Sequence, residues 1–171
     1  MYRTELIALN QDIFSELLIF VKNSEKFTLG FLEINFYPHR GLIVEELKVN
    51  PQCEEIQFVV LEFTKPSLRF LLDEITKELS KIEKLPNKKL VLIIQGLENS
   101  IWVWGEYPPV LVYMNFHRDA FKTEIPYPII FILPNYALKR LARFAPDFWD
   151  WRSGVFNFNH GELWKKYLGI T

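Results

Sequence analysis

Lys88-Lys89-Leu90-Val91-Leu92-Ile93-Ile94 is a short run in which apolar and β-branched residues follow one another without alternation. A strand with one wet face alternates polar and apolar positions. A strand apolar at every position is buried on both faces, as the strands of parallel sheets are. Pro86-Asn87 stands before the run and Gly96-Leu97-Glu98 after it. Upstream, Leu68, Leu71, Leu72, Ile75, Leu79 and Ile82 form one apolar stripe of a helix that begins near Pro66-Ser67. Its other face carries Asp73, Glu74, Lys77, Glu78 and Lys81, a solvated surface. Before that helix, Ile56 to Phe63 reads as a second strand, and Phe27 to Asn35 as another. Gly41 to Val49 reads as a short helix between those two strands. An amphipathic helix spans about 4–22, with Leu6, Leu9, Ile13, Leu17, Phe20 and Val21 at helical spacing.

Downstream the pattern weakens at Ile101 to Trp104, which reads as a short strand or a loop. Val110 to Phe121 reads as a helix, Pro128 to Leu133 as a fourth strand, and Tyr136 to Phe144 as a basic amphipathic helix. Ser153 to Phe158 reads as a terminal strand and Leu163 to Leu168 as a last short helix. Strands alternating with helices predict one α/β domain over 1–171, three-layered, with a mainly parallel sheet flanked by helices.

Bulk composition narrows the function classes. An apolar fraction of 49% is that of a folded globule. Twenty basic and twenty-one acidic residues leave a net charge of -1, which argues against binding nucleic acid through a broad positive field. The single cysteine, Cys53, excludes an internal disulfide and an all-cysteine metal site. Arg3, Glu5 and Asp12 among the first apolar residues argue against a signal peptide, and no apolar run approaches the roughly 18 residues of a membrane span. The expectation is a cytoplasmic protein without a membrane segment.

In parallel α/β folds the ligand sits at the carboxyl ends of the strands. A P-loop there needs Gly-x-x-x-x-Gly-Lys-Ser/Thr, to supply amide donors, an ammonium group and a magnesium-binding hydroxyl. The first strand is followed instead by Asn35-Phe36-Tyr37-Pro38-His39-Arg40-Gly41, with one glycine, no Lys-Ser/Thr pair and a proline that removes a donor. Only Arg40 or His39 is left to meet a phosphate. The third strand runs into Gln95, neutral, where a magnesium-ordering carboxylate is needed, and Glu98 falls in the loop beyond. His39, His117 and His160 lack metal-ligand spacing, and Cys53 has no recognisable base beside it. Glu62-Phe63-Thr64-Lys65 misses a nuclease Glu-x-Lys by one position, although Glu33 and Glu62, at the ends of adjacent predicted strands, leave a carboxylate pair open. No metal, cofactor or catalytic residue is expected.

Two further segments are distinctive: Met114-Asn115-Phe116-His117-Arg118-Asp119-Ala120-Phe121, and the stretch from Leu133 through Pro134-Asn135-Tyr136-Ala137-Leu138 to Ala145-Pro146-Asp147-Phe148-Trp149-Asp150-Trp151-Arg152-Ser153-Gly154-Val155-Phe156. With Gly96-Leu97-Glu98, and with Phe27, Leu29, Gly30, Phe31 and Asn35 near the start, they resemble a nucleotide-binding-like domain of bacterial, especially cyanobacterial, multidomain proteins of the STAND NTPase type. The likeness is specific in the last third and loose in the first. It implies a P-loop NTPase-like fold, and the missing motifs place the chain beside the inactive STAND domains of conflict and signalling systems. It further implies a non-catalytic interaction or signal-transfer module with a larger multidomain protein as partner, and it leaves a homo-oligomer open.

In the C-terminal aromatic segment, about 145–158, Arg152 has Asp119 or Asp147 as candidate partners. Trp149, Trp151, Arg152 and Asp147 serve either as a lock on the sheet or, with Arg140 and Arg143 of the basic helix, as an interaction surface. Two alternatives stand beside this reading. One is a nucleotide- or small-ligand-binding domain with an atypical pocket built from Arg40, Glu98, Asn115 and Arg118. The other is a metal-dependent nuclease-like enzyme using Glu33, Glu62 and Glu98.

Overall fold

The run at Lys88 to Ile94 forms a strand flanked on both sides by others. The computed structural model describes residues 2–102 and 107–170. In it, β1 (Thr28–Glu33), β2 (Ile56–Glu62), β3 (Lys89–Gln95), β4 (Pro128–Leu133) and β5 (Arg152–Asn157) make one five-stranded sheet in the order β2-β3-β4-β1-β5. Every pairing is parallel. Central β4 is buried at every position and β3 at its five inner ones, whereas edge strand β5 opens with the exposed Arg152 and Ser153. Successive side chains divide between the faces with period two: Val91, Ile93, Ile130 and Ile132 face one layer, and Leu90, Leu92, Ile94, Phe131 and Leu133 the other.

The first layer holds α1 (Tyr2–Leu9), α2 (Gln11–Asn23), α3 (Pro38–Val49) and a 3₁₀ turn at Pro51–Cys53. Leu6, Leu17, Val21, Ile43 and Leu47 seal it against the sheet. The second layer is built by α4 (Leu71–Leu79), α5 (Glu98–Ile101), α6 (Pro109–Phe116), α7 (Arg118–Glu124), α8 (Asn135–Phe144) and α9 (Pro146–Asp150). It contributes Leu71, Ile75, Val110, Met114, Phe121, Leu141 and Phe148. A last helix, α10 (Leu163–Tyr167), returns to α1, where Lys166 Nζ meets Glu5 at 2.6 Å. No helix among the described residues is long and apolar enough to cross a membrane.

Two glycines are required by contact. A Cβ on Gly30 would stand 2.8 Å from the Phe20 ring, so the bare backbone admits α2 against β1. Gly96 lies at φ +91°, and its Cβ would stand 2.7 Å from the Phe63 carbonyl. Lys89, at the start of β3, donates its Nζ to the carbonyls of Val21, of Lys22 (2.9 Å) and of Ser24 (2.7 Å). Those acceptors are the orphan carbonyls at the end of α2, where a cation also meets the negative pole of the helix. Burial holds the Lys89 pKa below its ordinary value.

The structure revises several element boundaries. The N-terminal helix breaks at Asn10, whose buried amide donates to the Leu6 carbonyl and to that of Asn159, leaving Leu9 exposed. Pro38 starts α3 three residues ahead of Gly41, at the first helical position where proline is tolerated. The helix after β2 starts at Leu71, so Pro66-Ser67 belongs to the preceding loop. Residues 110–121 divide at His117 into α6 and α7. Ile101 closes α5, and residues 103 and 104 lie outside the described residues.

Candidate functional site

The connection leaving β1 crosses the first layer to reach β2 at the far edge, while the connection leaving β4 crosses the second layer to reach β5. Neighbouring strands β1 and β4 therefore send their chains to opposite faces, and the carboxyl ends of this pair are the crevice where α/β sheets bind ligands. Here the chain's own polar groups occupy the mouth. Asn35 Oδ1 accepts from the Asn135 amide at 2.7 Å, and Asn135 Nδ2 donates to Glu33 Oε1 at 2.6 Å. Below them the Ile34 amide donates to the Leu133 carbonyl at 3.1 Å. The first free amide of α8, which would face a bound anion, is thus capped by Asn35.

The turn after β1 is closed in the same way. Pro38 has no N–H, the His39 amide donates to the Phe36 carbonyl at 2.9 Å, and the Arg40 amide to the Tyr37 carbonyl at 3.0 Å. Arg40, 4% exposed, turns its guanidinium to Glu98, Nη1 to Oε1 at 2.6 Å. The contact is one-pronged: Arg40 Nε and Glu98 Oε2 are buried without a partner. Tyr37 packs under the Arg40 guanidinium at 5.0 Å and donates its hydroxyl to Glu62 Oε1 at 3.1 Å. That bond, before all else, raises the Tyr37 pKa.

Comparison with solved structures gives this arrangement its context. The chain resembles ORC2 from Aeropyrum pernix in its ADP form, with 13% identity and a TM-score of 0.51, over 96% of this chain and 50% of that one. It resembles Cdc6p from Pyrobaculum aerophilum with 12% identity and a TM-score of 0.52, over 95% of this chain and 48% of that one. No family model and no curated protein matches the chain. The fold is P-loop NTPase-like. The chain spans about half the length of these two relatives in structure.

In this P-loop NTPase-like frame, the turn from Asn35 to Arg40 stands where the phosphate cradle belongs, and Gln95 ends the strand that should carry the acidic residue. Glu98, read from the sequence as a residue of the loop beyond the third strand, opens α5 and makes the buried ion pair with Arg40. The atypical pocket of Arg40, Glu98, Asn115 and Arg118 divides into two separate pairs. Asn115 Oδ1 accepts from the amides of Asp147 (2.8 Å) and Phe148 (3.1 Å), capping α9, and Arg118 Nη1 donates to the Asn115 carbonyl at 2.9 Å. Arg118 also stands 3.7 Å from Asp147 Oδ2. These two residues fasten the segment that leads into the amino end of β5, away from the strands' carboxyl ends.

Glu33 and Glu62 end strands separated by β3 and β4, roughly 14 Å apart at the spacing of a sheet. Each has its own partner, Asn135 or Tyr37, so the expected adjacency of their strands is corrected. No group of three His, Cys, Asp or Glu suited to a metal occurs among the described residues. Cys53 is buried, and burial raises its pKa, the reverse of nucleophile activation.

In the aromatic segment Trp149 and Trp151 are half-buried, against Phe31 (centroids 4.9 Å apart) and Phe27 (6.2 Å). Arg152 lies over the Trp149 ring at 4.6 Å and pairs loosely with Asp150 at 3.9 Å, in place of Asp119 or Asp147. On α8, Arg140 donates Nε to the Ile101 carbonyl at 3.1 Å, and Arg143 is exposed.

His39, considered above for phosphate, is 2% exposed. Tyr2 has one hydroxyl proton and the Leu163 carbonyl can only accept, so Tyr2 donates there (2.8 Å) and accepts from His39 Nε2–H (2.6 Å). Burial, and after it His160, lowers the His39 pKa from 6.5 to about 4. Below pH 6.5 the unfolded chain gains a proton that the folded chain refuses, so stability falls as pH drops toward 4. Between about pH 6.5 and 5 the loss is on the order of 1–2 kcal/mol. Thermal melts across that interval test this: His39→Gln should flatten the decline, and an unchanged slope would show that His39 does not carry it.

Proposed function

We propose that this chain is a non-catalytic interaction and signal-transfer module, derived from an NTPase and working with a larger protein partner in a bacterial signalling or defence system. The observation that carries this reading is the internal use of the polar groups at the mouth of the sheet. The amides of His39 and Arg40 are bonded within their own turn, the Arg40 charge is neutralised by Glu98, and Asn35 caps α8. Binding a triphosphate there would require breaking a buried ion pair and several backbone bonds, with no lysine or metal-holding carboxylate to offset the cost. The resemblance to inactive STAND domains points the same way. A domain relieved of nucleotide chemistry retains its surfaces, and on this reading those surfaces are its function. It acts in the cytoplasm without a nucleic acid or a membrane as partner.

Isothermal titration with magnesium-ATP, magnesium-GTP and magnesium-ADP tests the proposal. No saturable heat and no phosphate release are expected. Micromolar binding of any of the three, or turnover, would overturn it.

A further inference from the structure

The two edges of the sheet differ. β5 pairs with β1 through a register shift between Leu29 and Gly30 and opens with exposed Arg152, irregularities that guard an edge against further pairing. β2, Ile-Gln-Phe-Val-Val-Leu-Glu, keeps an unbroken register with β3 and contains no proline, glycine or lysine. Backbone groups alternate between the two sides of a strand. The Glu55 carbonyl accepts from the Lys89 amide at 2.9 Å, and the Phe63 amide donates to the Gln95 carbonyl at 2.9 Å, so Gln57, Val59 and Leu61 between them also serve β3. The N–H and C=O groups of Ile56, Phe58, Val60 and Glu62 therefore point outward, and among the described residues nothing bonds them. Apolar surface gathers beside them. Phe58 and Val60 are half-buried, and Ile82 (38% exposed) and Leu85 (40% exposed) stand in the loop whose Leu85 amide donates to Gln57 Oε1 at 2.9 Å.

Charges along this edge are ordered by sign. Glu74, near the head of α4, and Lys77 line a cleft with Glu62 and Lys65 at the exit of β2, so this flank of the helix faces the open edge. Lys81 lies two turns beyond Glu74 on the same flank. Its bond to Glu78, at 3.2 Å, is an exposed pair that solvent screens and that a second carboxylate can join. Glu54 and Glu55 precede the strand and Lys65 follows it, all exposed. We infer that β2 pairs antiparallel with β2 of a second copy of this chain, joining the two five-stranded sheets into one across a two-fold axis. Reversal of direction is what the order of charges fits: Glu74 of each copy comes to Lys81 of the other, and Glu54-Glu55 to the end that carries Lys65. Phe58 stands across from Val60 of the second copy, an aromatic against a β-branched residue, and the outward groups complete the ladder. The two α4 helices flank the joint on one face. Pairing β2 with β5 of another copy would meet the guarded edge and would not close. The inference is independent of the non-catalytic reading.

Analytical ultracentrifugation of the purified chain from about 1 to 500 µM should show a reversible monomer–dimer equilibrium and no larger species. Glu74→Lys alone and Lys81→Glu alone should each weaken the dimer by about tenfold or more, because like charges then face each other across the joint. The two substitutions together should restore it. Val60→Pro removes an outward N–H that β3 does not use, and should abolish the dimer. Amide exchange at Phe58 and Val60 should slow as protein concentration rises, while that at Val59 and Leu61, already bonded to β3, should not. A chain that stays monomeric throughout would overturn the inference, even where the same edge captures an extended peptide of another protein. A dimer indifferent to the single reversals and to Val60→Pro would use another surface and overturn it equally. Growth beyond the dimer would mean open edge-to-edge pairing, and would also overturn it.

Discussion

Arg40→Met is expected to destabilise the protein by about 3–5 kcal/mol, and Glu98→Leu by a similar amount, because each leaves the other charge buried and unpaired. The two side chains retain only 5% and 13% of their exposure, so neither orphaned charge has water to turn to. The double substitution should behave differently. The pair meets through one oxygen and one nitrogen, and the unpartnered Arg40 Nε and Glu98 Oε2 keep their desolvation cost without return. Two apolar side chains of similar volume remove that cost, so Arg40→Met with Glu98→Leu should equal or exceed the parent by about 1–3 kcal/mol. Urea denaturation of the four proteins closes the double-mutant cycle. Single variants costing under about 1 kcal/mol would mean that water reaches the pair and that the closed cradle is a weaker obstacle to ligands than proposed.

The same pair shows where the sequence was legible and where it was not. The absence of a phosphate cradle could be read from Asn35 to Gly41 alone, because a P-loop is a local motif whose residues must be consecutive. What replaced it could not. Asn35 and Asn135 are 100 residues apart, and Glu33 and Asn135 are 102 apart. Only the pairing of β1 with β4 brings them together. A signal did exist: an Asn stands two positions beyond the last residue of β1 and of β4, the two strands that flank the crevice. Its meaning depended on strand order, which no local pattern encodes.

The sheet itself was legible for a physical reason. Burial on two faces forces apolar residues at the five inner positions of β3 and throughout β4, and that pattern persists whatever the neighbours are. Helix ends were less so, because single polar side chains decide them. Asn10 divides the N-terminal helix by holding Asn159 through both its amide nitrogen and its oxygen, a partner that only the folded chain supplies. Asn115 belongs with Arg118 to the atypical-pocket alternative, but its oxygen serves two amides of α9. Capping and ligand binding ask for the same residue type, so composition alone could not separate them.

Phe148→Ala is expected to cost about 3–5 kcal/mol, far more than Trp151→Ala at about 1–2 kcal/mol, although the tryptophans are the conspicuous residues of the segment. Phe148 is fully buried, with the rings of Phe121 at 5.2 Å and Phe131 at 6.0 Å, both edge-on. Its loss opens a cavity between α7, α9 and the central strand, which packed neighbours fill only in part. Trp151 is half-buried over Phe27, with Lys122 reaching its ring at 5.9 Å, and truncation there leaves a dent that water can occupy. For a domain of this size the Phe148 variant should melt roughly 10 °C lower, measured by calorimetry at neutral pH. The cap is coupled to the same latch: Asn115→Ala, which frees the Asp147 and Phe148 amides, should cost less when Phe148 is already Ala, because the amides it serves are then held loosely. If Trp151→Ala proves as costly as Phe148→Ala, the segment is fastened from its outer side, and the tryptophans rather than the phenylalanine hold β5 in the sheet.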